Sequence, residues 1–174
     1  MQWSSLKSKV EAFFAPSVKG RVELRAASYR GAHDQTGRGY ITVDGKEIWN
    51  MCTLSFWGAE YPRIDFIAQE QGVSPRAAQV IADAQLEQEG VLSQWGFYRA
   101  LESYCNSSIN ACLCSTNPLI KSLAMLDSRT GKRRLEKLDV LAEHPMVQFF
   151  FKLRCEAEGI SLTSHSSRPV KASG

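Results

Sequence analysis

The sequence predicts an α+β fold in which one N-terminal helix precedes a three-stranded antiparallel meander, and four or five further helices pack on that sheet. Three observations lead to this prediction. Apolar residues recur at helical spacing over residues 2–15, alternate with polar residues after residue 21, and return to helical spacing from residue 74. A group of strands followed by a run of helices is typical of an α+β domain with helices on one face of the sheet.

The first predicted element is a helix over residues 2–15. Its apolar residues Trp3, Leu6 and Val10 lie three or four positions apart, which places them on one helical face. Pro16 cannot continue the helix, so it marks the end. Because the segment is short, its apolar face favours packing in a core over lying on a membrane surface.

The segment 21–57 is predicted to form a meander of three antiparallel strands. Apolar and charged residues alternate over residues 21–26, as in a strand with one face in water. The dipeptide Asp44–Gly45 predicts a two-residue hairpin, because both central positions of that turn need positive φ. The third strand is expected over residues 48–56.

The later helices are predicted from their ends. Proline at the first helical position loses no needed hydrogen bond, and a preceding Ser or Asn can cap the helix. Ser93 is expected to cap another helix, while Gly90 and Gly159 are expected to end the helices before them. The proline starts are Ser74–Pro75, Asn117–Pro118 and His144–Pro145.

These elements predict a single domain over residues 1–160. Residues 161–174 are rich in Ser and contain Lys, Arg and Pro. They have too little apolar surface to pack, which predicts a flexible C-terminal tail.

Composition excludes several classes of protein. With 44% hydrophobic and 22% charged residues, the chain is not a largely disordered protein, a collagen-like repeat or a coiled-coil rod. Its formal net charge of +3 is too small to indicate nucleic-acid binding by itself. Lys7, Lys9 and Glu11 interrupt any N-terminal signal sequence, and no apolar run approaches the roughly 20 residues that span a bilayer. We therefore expect a soluble cytoplasmic protein without a membrane partner.

The cysteines favour a reducing compartment. There are five, so they cannot all pair within one chain, and small buried thiols are the expected state. Cys105, Cys112 and Cys114 have a C-x6-C-x-C spacing, which matches no common zinc pattern. No metal site and no cofactor are predicted.

Several short motifs resemble those of a family of small uncharacterised bacterial proteins. The motifs are WxxLK at residues 3–7, FAPSVKGRVE at 14–23, YRxAHDxxGR at 29–38, DGKEI at 44–48, NP at 117–118, GKRRL at 131–135 and HP at 144–145. The resemblance spans most of residues 3–158. It implies a bacterial source and one domain, and it implies no activity, cofactor, partner or site residue.

The first candidate site is the glycine-rich loop between the first two strands. His33 can move protons near neutral pH beside the carboxylate of Asp34, and Arg30 and Arg38 can hold phosphate or carboxylate. This set is the basis of one functional hypothesis, a small hydrolase or phosphoryl-handling enzyme. The alternative is a solvated turn, because adjacent residues in an extended chain point to opposite faces.

The second candidate is the basic segment 127–137. It contains a Gly131–Lys132 pair, but no glycine stands five residues earlier and Arg133 replaces the Ser or Thr of a P-loop, so a P-loop is excluded. Clustered cations can still contact a phosphate backbone. The alternative is a solvated turn whose charges pair with neighbouring carboxylates.

A third set is aromatic. Trp49, Phe56, Trp57 and Tyr61 could stack on bases, pack in the core or form an interface between copies of the chain. If both lie in the third strand, Phe56 and Trp57 point to opposite faces.

We expect a non-enzymatic binding protein whose ligand is anionic, either nucleic acid or the acidic face of another protein. The expected surface combines loop arginines with the basic segment. Its members are Arg30, Arg38, Arg129, Lys132, Arg133 and Arg134. The hydrolase that uses His33 and Asp34 is the alternative, and the sequence leaves the oligomeric state open.

Overall fold

The predicted fold class is confirmed by a computed structural model, which describes residues 2–31 and 36–161. Helix α1 (Trp3–Ala12) precedes an antiparallel sheet in the order β1-β2-β3, and the other helices follow. The strands are β1 (Val22–Ser28), β2 (Gly37–Val43) and β3 (Lys46–Cys52). The later helices are α2 (Thr53–Gln71), α3 (Pro75–Gln88), α4 (Gln94–Asn106), α5 (Ile109–Leu113), α6 (Pro118–Leu126), α7 (Lys132–Leu135) and α8 (Pro145–Glu158).

The hairpin between β2 and β3 has the predicted turn. Asp44 and Gly45 both have positive φ, 50° and 79°, as a two-residue hairpin requires. The β1–β2 pair runs in register from Val22 opposite Val43 to Ser28 opposite Gly37.

One face of the sheet packs on helices. Leu24, Ile41 and Met51, one from each strand, are buried in the main core. Gly39 of β2 lies directly on the ring of Phe97 in α4, where a Cβ would overlap the ring. Glycine is therefore required at this position for the sheet and α4 to approach so closely.

The predicted helix starts are confirmed. The side chains of Ser74, Asn117 and His144 each accept a hydrogen bond from a backbone N–H in the first turn of the following helix, and proline comes next in all three. Ser93 caps α4 in the same way. Gly159 ends α8 in the left-handed conformation, with φ 67°. These helix ends could be predicted from the sequence because capping depends on residues that are neighbours along the chain.

The prediction of the third strand was wrong at its C-terminal end. β3 stops at Cys52, and residues 53–56 open α2 instead. Phe56 and Trp57 therefore lie on a helix, and their expected placement on opposite faces of a strand is wrong. With α2 and the short helices α5 and α7, seven helices follow the sheet within the described ranges, rather than four or five.

Helix α2 escaped prediction for physical reasons. Its buried positions Thr53, Glu60 and Ile67 are seven residues apart, but two of the three are polar. Pro62 stands in its interior, where proline removes a backbone hydrogen bond. The apolar periodicity that marks an amphipathic helix is therefore weak here.

Helices α2 and α3 bury a small core of their own. Ile67, Ala78 and Ala82 are buried together, apart from the main core that the sheet shares with the other helices. Ile64 and Ile81 are half-buried against this small core. The α2–α3 pair is therefore held together by few apolar side chains.

Candidate functional site

The start of the basic segment is part of the fold. Asp127 is fully buried after α6, and its carboxylate accepts hydrogen bonds from Nε and Nη2 of Arg129 at 2.7–3.1 Å. The guanidinium of Arg129 also lies 4.0 Å above the ring of Phe13. The hydrogen bonds from Arg129 to Asp127 raise the pKa of Arg129 further. The positive charge of Arg129 is thus paired with Asp127 within the fold.

Two other side chains complete this network. The Tyr104 hydroxyl donates to Asp127 Oδ2 at 2.5 Å, and burial together with the Asp127 charge raises the pKa of Tyr104. Arg154 of α8 donates through Nη1 to the carbonyl oxygens of Leu126 and Asp127. The network fixes the end of α6 and therefore the position of the α7 segment that follows.

The other cations of the basic segment differ in whether they have an ion-pair partner. Lys132 Nζ lies 3.3 Å from a carboxylate oxygen of Glu158. A hydrogen bond from Ser17 is the largest cause of the lowered pKa of Glu158, and Lys132 and Arg154 contribute to it. Arg133 and Arg134 are exposed, and neither has an ion-pair partner in the part of the chain that the structure describes. These two cations remain available to a ligand.

A groove of about 1000 Å³ runs beside this segment, between α7, the connection over residues 136–144, and α8. Lys132 and Lys152 stand on its sides, while Glu136 and Asp139 also line it. Leu141, at its edge, is 75% exposed. The main apolar lining is Leu135, Leu138, Val140, Phe149 and Phe151. We call this feature the α7–α8 groove.

Arg30 and Arg38 lie elsewhere, and Arg38 is not in the predicted loop but in β2, which begins at Gly37. Arg38 Nη1 contacts Glu47 Oε1 at 2.6 Å, and its guanidinium lies 4.4 Å above the Tyr40 ring. Arg30 is exposed just after β1. His33 and Asp34 lie outside the described residues, so the hydrolase hypothesis stays a prediction.

The structure does not bring the two predicted groups of cations together. Arg129 contacts Phe13, near the beginning of β1, whereas Arg30 follows the end of that strand. A seven-residue strand spans roughly 20 Å at about 3.3 Å per residue. Arg30 and Arg38 therefore belong to one surface, and the basic segment belongs to another.

The aromatic set is divided as well. The Trp49 ring lies 6.2 Å from the rings of His144 and Phe149, so it packs between the sheet and α8. Phe56 and Trp57 are half-buried on α2, and Tyr61 on the same helix is 61% exposed. These residues do not form one stacking platform.

Cys52 is a candidate that the sequence analysis did not single out. Its Sγ lies 3.0 Å from the Tyr29 hydroxyl, at the start of α2. Burial opposes its ionisation, but hydrogen bonds from Tyr29, Ser55 and the backbone of Leu54 outweigh burial and lower the pKa of Cys52. The role of Cys52 could not be predicted from the sequence, because it depends on a helix that begins at Thr53 and that the sequence did not predict.

Neither a metal-binding cluster nor a membrane-spanning helix occurs in the described residues. Over residues 2–31 and 36–161, no group of three or more His, Cys, Asp or Glu side chains is arranged to hold a metal ion. None of the helices in those ranges has the length and apolar character needed to cross a membrane.

Comparison with known proteins gives a family model that matches most of the chain. A family model described as the SF0329 protein family matches residues 2–155. No curated protein and no solved structure matches the chain.

Proposed function

The chain belongs to the SF0329 protein family, whose description names no activity, and we propose from its own geometry that it is a non-enzymatic binding protein. The α7–α8 groove receives an acidic, partly apolar segment of another protein. Arg133 and Arg134 hold the acidic side chains of that segment, and the groove holds its apolar side chains. A bacterial source and a cytoplasmic location, both expected from the sequence, stay predictions.

The observation that carries this proposal is the apolar lining of an open groove. Leu138, Val140 and Leu141 line a surface depression, and Leu141 is mostly exposed. Contiguous apolar surface rimmed by polar residues marks interaction sites on soluble proteins. Interfaces with nucleic acid are more polar and more positively charged. The groove therefore favours a protein partner over nucleic acid.

The charges set the orientation of the partner segment. Lys132 and Leu135, one helical turn apart, both line the groove, so Arg133 and Arg134 lie on the solvent-facing side of α7 next to it. We call this side of α7 the shoulder of the groove. Glu136 and Asp139 would repel a carboxylate placed inside the groove. We therefore expect apolar side chains in the groove and acidic side chains over the shoulder.

This proposal uses only part of the surface expected from the sequence. Arg129 is held by Asp127, and Arg30 and Arg38 lie on the separate surface at the end of β1 and the start of β2. The proposed binding residues are Arg133 and Arg134 together with the apolar lining, while Lys132 lines the groove and is paired with Glu158.

Fluorescence anisotropy with a labelled peptide tests the proposal. The probe is an amphipathic peptide of Leu and Glu, about 18 residues or five helical turns long, and its Leu/Lys counterpart is the peptide control. We expect the Leu/Glu peptide to bind and the Leu/Lys peptide to bind more weakly. The double variant Arg133→Glu/Arg134→Glu should weaken Leu/Glu binding about tenfold and reduce its salt dependence.

The matched control reverses two exposed arginines elsewhere, Arg76→Glu in α3 and Arg99→Glu in α4. This pair of changes alters the net charge equally and should leave peptide binding unchanged. An equal loss of Leu/Glu peptide binding in both double variants would show that net charge alone causes the loss, and would overturn the proposed site. Tighter binding of single-stranded RNA than of the Leu/Glu peptide, lost in Arg133→Glu/Arg134→Glu, would assign the same cations to nucleic acid.

A further inference from the structure

Glu60 is an ionisable side chain in an interface with little apolar support. It lies on α2, faces α3 and is only 5% exposed. The small core beside it consists of Ile67, Ala78 and Ala82. Because α2 and α3 share so few buried apolar side chains, a charge in their interface has a large influence on their packing.

The polar partners of Glu60 come from α3. Gln79 Nε2 donates to Glu60 Oε1 at 3.1 Å. The carboxyl of Asp83, one turn further along α3 than Gln79, acts on Glu60 from the same helix. Asp83 Oδ1 is buried, and no donor in the described ranges reaches it. A buried carboxylate oxygen without a donor is costly, and a proton held between the two carboxyl groups removes that cost.

No cation among the described residues neutralises the pair. Arg63, almost one turn along α2, is bound to Glu89 at 2.7 Å, and Arg76 of α3 is exposed. Strands β2 and β3 also contact α2, yet no charged group on them, within the described part of the chain, acts on Glu60. Burial is the largest cause of the raised pKa of Glu60. The hydrogen bond from Gln79 opposes it, and the facing Asp83 carboxyl adds to the rise.

We infer that a proton on Glu60, held against the Asp83 carboxylate, forms a pH-sensitive latch between α2 and α3. With the proton in place, Glu60 donates to Asp83 and the helices stay packed. When the proton leaves, two negative charges face each other across the interface. The α2–α3 pair then opens locally while the main core remains folded. This latch is separate from the proposed binding groove and does not depend on it.

The direction of the pH effect follows from linkage. A carboxyl whose pKa is higher in the folded protein than in the unfolded chain binds its proton more tightly when folded. Its stabilising contribution is complete below the ordinary glutamate pKa of about 4.3. The contribution is lost as the pH rises through the raised pKa. The interface should therefore be tighter in mild acid than at neutral pH.

Hydrogen exchange read by mass spectrometry tests the latch. Peptides from α2 and α3 are compared with peptides from the largely buried α6, which corrects for the pH dependence of chemical exchange. Between about pH 5 and pH 8, protection of α2 and α3 relative to α6 should fall about tenfold for each unit by which the pKa is raised. Protection of α2 and α3 that is constant or rises with pH would overturn the inference.

Two variants and a control separate the latch from general loss of packing. Glu60→Gln keeps the size and can donate a hydrogen bond to Asp83, so it should fold and lose the pH dependence. Asp83→Asn provides the same test from α3. Asp65→Asn, at an exposed position of α2, should keep the wild-type pH dependence. Unchanged pH dependence in both Glu60→Gln and Asp83→Asn, or protection that depends on added Ca²⁺ or Mg²⁺ rather than on pH, would refute proton sharing.

Discussion

Replacing Arg129 should destabilise the protein far more than replacing either of the neighbouring arginines Arg133 and Arg134. In Arg129→Ala the buried carboxylate of Asp127 loses its bidentate partner. Of its donors in the described residues, the Tyr104 hydroxyl and the backbone N–H of residue 129 remain. The Phe13 ring also loses the guanidinium that lies over it. Arg133→Ala and Arg134→Ala remove exposed side chains that have no ion-pair partner over residues 2–31 and 36–161.

The size of the effect follows from the geometry. Removing one partner of a buried ion pair costs about 3–5 kcal/mol of unfolding free energy. The Arg129 side chain is 33% exposed, so water screens part of its interaction with Asp127. We therefore expect a loss of about 2–3 kcal/mol for Arg129→Ala, and changes within about 0.5 kcal/mol for Arg133→Ala and Arg134→Ala.

Urea and thermal denaturation followed by circular dichroism measure these differences. For a chain of this size, about 2–3 kcal/mol corresponds to a decrease in Tm of roughly 4–12 °C. Arg129→Lys serves as the control, because it keeps the positive charge without the planar fork and should fall between wild type and Arg129→Ala. An Arg129→Ala protein as stable as Arg133→Ala would refute the assignment of Arg129 to the fold.

Two further predictions concern the sheet. Gly39→Ala should lower the unfolding free energy by at least about 2 kcal/mol, because its Cβ would overlap the Phe97 ring. The control Gly58→Ala, in open space on α2, should be neutral or stabilising. If both variants unfold at the same urea concentration, the close approach of β2 and α4 is contradicted. Alkylation of Cys52 by iodoacetamide, followed by mass spectrometry across pH, should have a midpoint below that of an ordinary thiol, and Tyr29→Phe should raise it, because the Tyr29 hydroxyl donates to the thiolate. A midpoint that Tyr29→Phe leaves unchanged would show that this hydrogen bond does not support the thiolate.

Local signals in the sequence were sufficient for much of the fold. The turn at Asp44–Gly45 and the caps at Ser74, Asn117 and His144 depend on adjacent residues, and all occur as predicted. Helix α2 could not be predicted in this way, because the buried Glu60 interrupts its apolar pattern. Gln79, whose hydrogen bond makes the burial of Glu60 tolerable, lies on α3. Local periodicity within α2 does not reveal a partner on another helix.

The candidate site was harder to predict for a related reason. The basic segment was visible as a cluster of charge, but the role of each cation depends on residues far away in sequence. Arg129 is held between Asp127 and Phe13, and Lys132 reaches Glu158 at the end of α8. The α7–α8 groove forms only when the connection over residues 136–144 packs against α8. Spacing along the chain does not encode that shape.

The most direct test of the proposed function is an NMR titration of the isotope-labelled protein with the Leu/Glu peptide. The account predicts chemical-shift changes at Leu138, Val140 and Phe149 of the groove and at Arg133 and Arg134 on its shoulder. The changes should disappear in a folded Leu138→Asp variant. Shifts confined to the sheet face around Arg38, or none with the peptide in large excess, would contradict the assignment of the groove as the binding surface.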